Sequence, residues 1–321
     1  MKIMTADILF PAHDGRQAVR IIKPSAVHVE SGWELLTDTA VITLPRNVKD
    51  YDKSRIKEIF MPGRPCEIKL GYNGTNTTEF TGYIVKTSAD IPIKIECQDE
   101  MWRLKQMPVN ISTPSMLLGD FLAKIIPGYK IDAAEWQMPP QRHVRTTAAK
   151  VLEYLKSEYN LYSYFKGKTL VCGKIYDDDT GEPVKIVLEL DGAKGDDLNY
   201  RNKDEVRIKI RAVSTLRTGE KLEAVVGDED GTEQQLAYYG IEVQAELEKA
   251  ARRDYEQMKK DGLEGGIKLF GTPYIRHGQK VALESILYPE RNGIYYVDAI
   301  TVDWDESSGY TREIKLNKKA S

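Results

Sequence analysis

The chain has 321 residues, 46 Lys and Arg against 49 Asp and Glu, and a formal charge of −3 at pH 7. At about 150 residues per domain this is material for two domains or three small ones. With 41% hydrophobic and 30% charged residues, packed cores are expected and a disordered chain is excluded. No apolar run reaches the ~18 residues of a membrane span, and MKIMTADILF does not read as a secretory signal. The near-neutral balance excludes nucleic-acid affinity driven by bulk charge. The expectation is a soluble protein that does not insert into a membrane.

The first hundred residues read mostly as strand. DTAVITLP, EIKLGY from Glu67, EFTGYIVKT from Glu79 and PIKIEC from Pro92 alternate apolar and polar positions. Turns are expected at Pro62–Gly63, Asn73–Gly74 and the 88–90 stretch. Short helices are expected in KSRIKEIF and over 99–105, with Asp99 as N-cap. The period then changes. Thr113–Pro114 predicts a helix start, with Leu117, Leu118, Phe121, Leu122 and Ile125 as its apolar stripe and Pro127–Gly128 as its end. A second helix is expected from Thr146 or Thr147, burying Val151, Leu152, Leu155 and Tyr159. LYSYF–KGK–TLVCG then reads as a hairpin turning at Gly167.

After Pro183 alternation resumes: Val184, Ile186, Leu188 and Leu190, then Val206, Ile208 and Ile210 against Arg207, Lys209 and Arg211. GDEDG (227–231) predicts a hairpin between two further strands. A long helix is expected from Val243 to about Lys260, burying Val243, Leu247, Ala250, Ala251 and Met258, with Gly262 as C-cap. The chain should finish as a β meander turning at Gly278, Asn292–Gly293 and 307–309. GRPCEIKL from Gly63, then the 82–85 strand and IKIE, is echoed by GQKVALE from Gly278, the 293–297 strand and REIKL. Such an echo points to a duplicated β unit.

Little in the sequence marks catalysis. His13, His28, His143 and His277 are scattered, and HExxH, GxSxG, the P-loop and GxGxxG are absent. His28 reads as structural, and His277 as a polar contact in a turn. Cys66, Cys97 and Cys172 show no metal-ligand spacing; they read as small core residues and fit synthesis in a reducing compartment. The sequons at Asn73, Asn76 and Asn110 read as incidental. Asp177–Asp178–Asp179, Asp228 with Asp230, and Asp303 with Asp305 lie beside turn signals and read as solvated turns rather than calcium ligands or a glycosidase pair. No catalytic residue, cofactor or metal is expected. The row Arg207, Lys209, Arg211 could meet an acidic neighbouring subunit or a phosphate backbone, the alternative being an ordinary wet sheet face. Eighteen tyrosines against six phenylalanines suit surfaces buried on assembly, and Tyr238, Tyr239, Asp228 and Asp230 complete the candidate interface.

Taken in order, GRPCEIKLGYNG with EFTGYIVKTSADIPIKIECQDEMWRLKQ, then TAAKVLEYLKSEYNLYSYFKGKTLVCG, then GTPYIRHGQKVALES with NGIYYVDAITVDWDESSGYTREIKL resemble a known family. These are the baseplate hub proteins of contractile phage tails, the late-control D proteins, related to the hub part of type VI secretion spike proteins. The resemblance implies a β-rich α+β fold in which two similar, tube-like β-barrels (1–106 and 181–321) flank a small α+β insert (107–180). It also implies a homotrimer that presents six barrels as a pseudo-hexameric ring. That ring would join the six-fold tail tube to a three-fold spike around an axial channel.

The resemblance further implies a non-enzymatic virion or prophage component of the tail baseplate, assembled in the bacterial cytoplasm. Its expected partners are the tube protein, a separate spike protein because the chain stops at Ser321, and the tape-measure and baseplate wedge proteins. DNA would be only a transient cargo of the channel. The alternative readings are a carbohydrate-active or wall-degrading tail enzyme and a β-rich adhesin module.

Overall fold

Alternating burial organises the chain from its first strand. The computed structural model describes residues 2–45, 56–88, 91–176, 181–196, 198–201, 203–216, 220–239, 241–259 and 262–319. In chain order the elements are β1 (Met4–Phe10), β2 (Val19–Ile21), β3 (Ala26–Gly32), β4 (Thr39–Thr43), α1 (Ile56–Ile59), β5 (Pro65–Tyr72), β6 (Thr75–Thr87), β7 (Lys94–Gln98) and α2 (Met101–Leu104). There follow β8 (Pro108–Thr113), β9 (Met116–Leu117), α3 (Leu118–Ile125), β10 (Lys130–Ala133), β11 (Gln137–Met138), β12 (Gln141–Thr147), α4 (Ala148–Tyr159), β13 (Ser163–Lys166) and β14 (Thr169–Cys172). The remainder is β15 (Val184–Val187), α5 (Leu188–Asp191), β16 (Gly192–Asp196), β17 (Asn199–Arg201), β18 (Ile208–Thr215), β19 (Lys221–Gly227), β20 (Thr232–Tyr239), α6 (Gln244–Met258), β21 (Gly262–Phe270), β22 (Lys280–Glu284), β23 (Gly293–Asp305) and β24 (Gly309–Lys319).

The chain divides into two compact units. One holds Met1–Arg103, Tyr176–Asp197 and Gly265–Leu316; the other holds Leu104–Ile175, Leu198–Glu264 and Asn317–Ser321. The segment expected as a separate insert therefore shares its unit with a stretch of the expected second barrel.

In the first unit the strands form one sheet running β2-β1-β5-β6-β7-β4-β3-β23-β24-β21-β16, with β15 joined to β22 and β22 to β23. Two repeats are legible in this path. The order β1-β5-β6-β7-β4-β3 is matched by β15-β22-β23-β24-β21-β16, each strand falling at the same place in chain order. The match extends to single hydrogen bonds. Gly63 N donates to Ile84 O and Ile84 N to Arg64 O (2.8 and 2.9 Å), and Gly278 N donates to Val297 O and Val297 N to Gln279 O (2.7 and 3.0 Å). Gly63 and Gly278 both sit at positive φ (+88° and +80°), which a residue with a Cβ adopts only with strain. One difference is that β1 meets β5 antiparallel whereas β15 meets β22 parallel. The expected pair of closed barrels is not formed: the sheet is open, because β3 of the first repeat pairs with β23 of the second.

A buried charge pair ties the two repeats face to face. Arg312 on β24 and Glu79 on β6 have fully buried side chains, and Arg312 Nη2 donates to Glu79 Oε1 at 2.5 Å. The Tyr310 hydroxyl donates to the same oxygen at 2.6 Å, while Arg312 Nη1 donates to Ile275 O at 2.9 Å. The guanidinium lies 5.1 Å from the Tyr274 ring centroid, and the Tyr72 hydroxyl donates to Tyr310 O at 3.0 Å.

The second unit packs α3 and α4 with short sheets. α3 buries Leu118, Phe121, Leu122 and Ile125; Ile126 closes it ahead of Gly128 at φ +88°. The helix does not start at Thr113–Pro114 as expected. Thr113 is held in β8 opposite Gln141, the helix begins at Leu118, and Leu117 is exposed ahead of it. α4 starts where expected, its Lys150 N donating to the Thr147 hydroxyl at 3.4 Å, and the hairpin at Gly167 forms.

A further sheet, β19-β18-β20, packs its Ile210, Ala212, Ala224 and Val226 against Leu247 and Ala251 of α6. Here GDEDG is not a hairpin. β19 and β20 lie on opposite sides of β18, and β20 runs parallel to it. Residues 228–231 cross the start of β18, with Asp228 N donating to Ile208 O and Thr232 N to Arg207 O (both 2.9 Å). Gly231 permits the crossing, since a Cβ there would lie 2.4 Å from Ile208 backbone. α6 begins after Val243, which is exposed rather than buried, and Gly262 opens β21 rather than capping the helix.

Removing one partner of a buried ion pair leaves the other charge uncompensated and costs about 3–5 kcal/mol. Glu79→Gln and Arg312→Met should each lose stability on that scale in urea denaturation, and the double variant should lose clearly less than their sum. Additive losses below about 1 kcal/mol each would show that the pair does not couple the repeats.

Candidate assembly surface

The repeats meet along an antiparallel seam. Ala26 to Gly32 of β3 faces Asp305 to Ala299 of β23, with His28 directly opposite Asp303. His28 Nδ1 lies 2.7 Å from Asp303 Oδ1 and Nε2 lies 3.2 Å from Glu30 Oε1. Desolvation alone would lower the His28 pKa, but the two carboxylates outweigh it and raise it above the ordinary value. At the far end of the seam Trp33 Nε1 and the Tyr176 hydroxyl both donate to Asp298 Oδ1 (3.0 and 2.8 Å). Tyr176 stacks on Tyr296, centroids 4.1 Å apart. Part of the tyrosine surplus is thus spent inside the chain, Tyr295 and Tyr310 being buried too.

The counterpart of β3 in the second repeat is β16, which ends the path at the side away from β2. Beside it stands an apolar protrusion that the sequence reading missed. Leu190, Ile286 and Leu287 are about 70% exposed (71%, 70% and 71%) and Tyr288 is 49% exposed. The loop is rigidly held: Glu189 accepts hydrogen bonds from the Ser285 hydroxyl (2.6 Å) and from Ile286 N and Leu287 N (both 3.1 Å). These donors, the Ser285 hydroxyl foremost, pull the Glu189 pKa down to about 2. Adjacent apolar residues between turn signals, SILYPE, were the available clue.

The expected interface patch lies on β18, β19, β20 and the loop between the last two, and its charges are matched within the chain. Arg207, just ahead of β18, pairs with Asp230; Lys209 Nζ donates to Glu229 O at 3.0 Å; Arg211 pairs with Glu223 at 2.8 Å. Asp228 pairs with Lys259 at 2.8 Å, and the Tyr238 hydroxyl donates to Asp254 Oδ2 at 2.5 Å. Tyr239 stands opposite Thr215 in β20, and its side chain lies outside the described residues.

The remaining candidates disperse. Asp303 serves the seam, and Asp305 accepts from Ser307 N and Ser308 N (2.8 and 3.1 Å) in the β23–β24 turn. Asp177, Asp178 and Asp179 lie outside the described residues. Burial, with Arg276 adjacent, lowers the His277 pKa to about 4. Cys66, Cys97 and Cys172 are buried free thiols. Among the described residues no three His, Cys, Asp or Glu side chains converge on a metal-sized site, and no helix is long and apolar enough to cross a membrane.

No protein-family model and no curated protein matches the sequence. Among solved structures the chain is similar to the tail protein from Neisseria meningitidis MC58, with a TM-score of 0.67 and 12% identity over 98% of this chain and 97% of that one. It is similar to the 43 kDa tail protein of prophage MuSo2 from Shewanella oneidensis, at TM-score 0.61 and 13% identity over 99% and 97%. It is also similar to the E. coli c3393 protein, a component of the type VI secretion system with structural similarity to the bacteriophage T4 tail proteins gp27 and gp5. There the TM-score is 0.58 and the identity 11% over 93% and 74%. The fold is that of phage-tail proteins. The family resemblance read from the sequence therefore holds at the level of the fold, across nearly the whole chain.

The His28 seam has a defined pH signature. A group whose pKa is raised on folding contributes stability that is complete below its unfolded value, about 6.5, and is lost as pH rises through the folded pKa. Stability of the native chain should therefore fall as pH rises above about 6.5, and His28→Gln should flatten that slope. An unchanged slope in paired denaturation curves would remove His28 from the seam's energetics.

Proposed function

We propose that this chain is the non-enzymatic baseplate hub of a contractile phage or prophage tail, or of a related injection device. It joins a six-fold tail tube to a three-fold spike around an axial channel. The observation that carries this reading is the repeat. Six strands in one order occur twice in the chain and are fused through β3 and β23, so three copies present six similar units. A trimer built this way offers a quasi-six-fold face to the tube while keeping three-fold symmetry for the spike. The fold shared with tail proteins supports the same reading.

In that ring the edge strand β16 stands where β3 stands in the first repeat, and it joins the next copy with Leu190, Ile286, Leu287 and Tyr288 buried beside it. Contiguous exposed apolar surface of this kind marks interaction sites on soluble proteins. Arg207, Lys209, Arg211, Asp228, Asp230 and Tyr239 form a second contact, while Tyr238 lies on the opposite sheet face, packed against α6. Charges already paired are less costly to bury than lone ones. Tube, spike, tape-measure and wedge proteins are the proposed partners, in a virion assembled in the host cytoplasm, with DNA passing only transiently.

Light scattering across a concentration series, alone and co-expressed with a candidate spike, should reveal a trimer. Arg207→Glu with Arg211→Glu, and separately Leu287→Asp, should weaken it while leaving the monomer's circular dichroism unchanged. A strict monomer under every condition, including beside the spike, would refute the hub reading. Unaltered assembly of the Arg variants would remove that row from the interface.

A further inference from the structure

In the second unit an open cleft of about 390 Å³ is lined by residues of β12, α4, β18, β19 and β20. Ligand sites for small molecules span roughly 300–1,000 Å³ and combine ring faces with a few placed polar groups. The volume falls in that range, and the lining includes three rings, His143, Tyr154 and Tyr159. Four aromatic contacts run without a break along and behind one wall: Trp136 to Tyr159 at 5.1 Å, Tyr159 to Tyr154 at 5.9 Å, Tyr154 to His143 at 5.2 Å and His143 to Phe121 at 5.9 Å. A polar chain fixes these rings from beneath. The buried Gln141 accepts from His143 Nε2 at 3.0 Å and donates to the Tyr159 hydroxyl at 3.2 Å. Desolvation lowers the His143 pKa, so the ring is neutral at pH 7 and able to keep one nitrogen as donor.

The rim differs from the wall. Arg142 and Lys221 are exposed, line the cleft, and make no ion pair or side-chain hydrogen bond among the described residues. The charged patch on β18 and β19 is internally neutralised, so two unspent cations among the lining residues are a distinct feature. Among the described residues Glu158 is the one carboxylate lining the cleft. Glycoside hydrolysis through two protein carboxyl groups would need a second, so this geometry supports binding rather than cleavage.

We infer that this cleft is a binding site for an anionic carbohydrate. Aromatic faces carry negative charge density that attracts the polarised C–H face of a sugar ring, the two cations take its carboxylate through charge-assisted hydrogen bonds, and Glu158 accepts from ring hydroxyls. The site borders the proposed Arg211 contact, since its Gln235 lies directly opposite Arg211.

The probe is digalacturonate, titrated into the full chain by calorimetry and by NMR, beside the neutral disaccharide cellobiose and the ringless anion citrate. Saturable binding of digalacturonate, at least tenfold tighter than either control, is expected. Arg142→Ala, Lys221→Ala and Tyr154→Ala should each weaken it several-fold. The first two replace exposed, unpaired side chains, so they test the site without loss of fold. Absent saturation with digalacturonate, equal affinity for citrate, or binding indifferent to both cation variants would each overturn the inference.

Discussion

A guanidinium withdrawn completely from water must be met by an anion and by hydrogen-bond acceptors, or the fold around it fails. Arg312 is met by Glu79 and by the carbonyl of Ile275, and Glu79 is met again by the Tyr310 hydroxyl. These residues lie on strands far apart in sequence, one in each repeat. The pair therefore fixes how the repeats face one another, as the β3–β23 seam fixes how they join edge to edge. With both contacts in place the two repeats share one sheet that is not closed. They form a continuous sheet whose path ends at β2 and at β16.

The same logic separates surface from core among the tyrosines. Tyr310 is committed to the Arg312–Glu79 pair, Tyr176 and Tyr296 to the end of the seam, and Tyr295 to the Arg291 carbonyl. Among the exposed apolar side chains, Leu190, Ile286, Leu287 and Tyr288 include the three most exposed. Their loop is braced by Glu189 before any partner arrives, which reduces the ordering cost of association.

Much of this was legible in the residues. Alternation located β4 to β7 of the first repeat and β15, β22, β23 and β24 of the second but not β1, β16 or β21, and Gly63 and Gly278 marked equivalent turns because each needs a positive φ. Thr147 announced its helix. Other features depend on partners that alternation does not name. GDEDG has the composition of a turn, but whether its flanking strands pair or straddle a third depends on Ile208 lying against Gly231. Thr113 looks like a helix cap until β12 claims it for a strand. Glu79 reads as an ordinary wet strand position, and only Arg312, 233 residues later, makes it a buried anion. Barrel closure was overestimated for the same reason, since the seam joins residues about 270 positions apart.

The most direct measurement is a reconstruction of the assembled tail tip at a resolution that traces strands. The account predicts three copies of this chain around the axis between tube and spike. The two repeats of each should alternate around the ring, and β16 of one copy should lie against the first repeat of the next. A different copy number, repeats stacked along the axis rather than alternating around it, or this chain on the outside of the particle would contradict it.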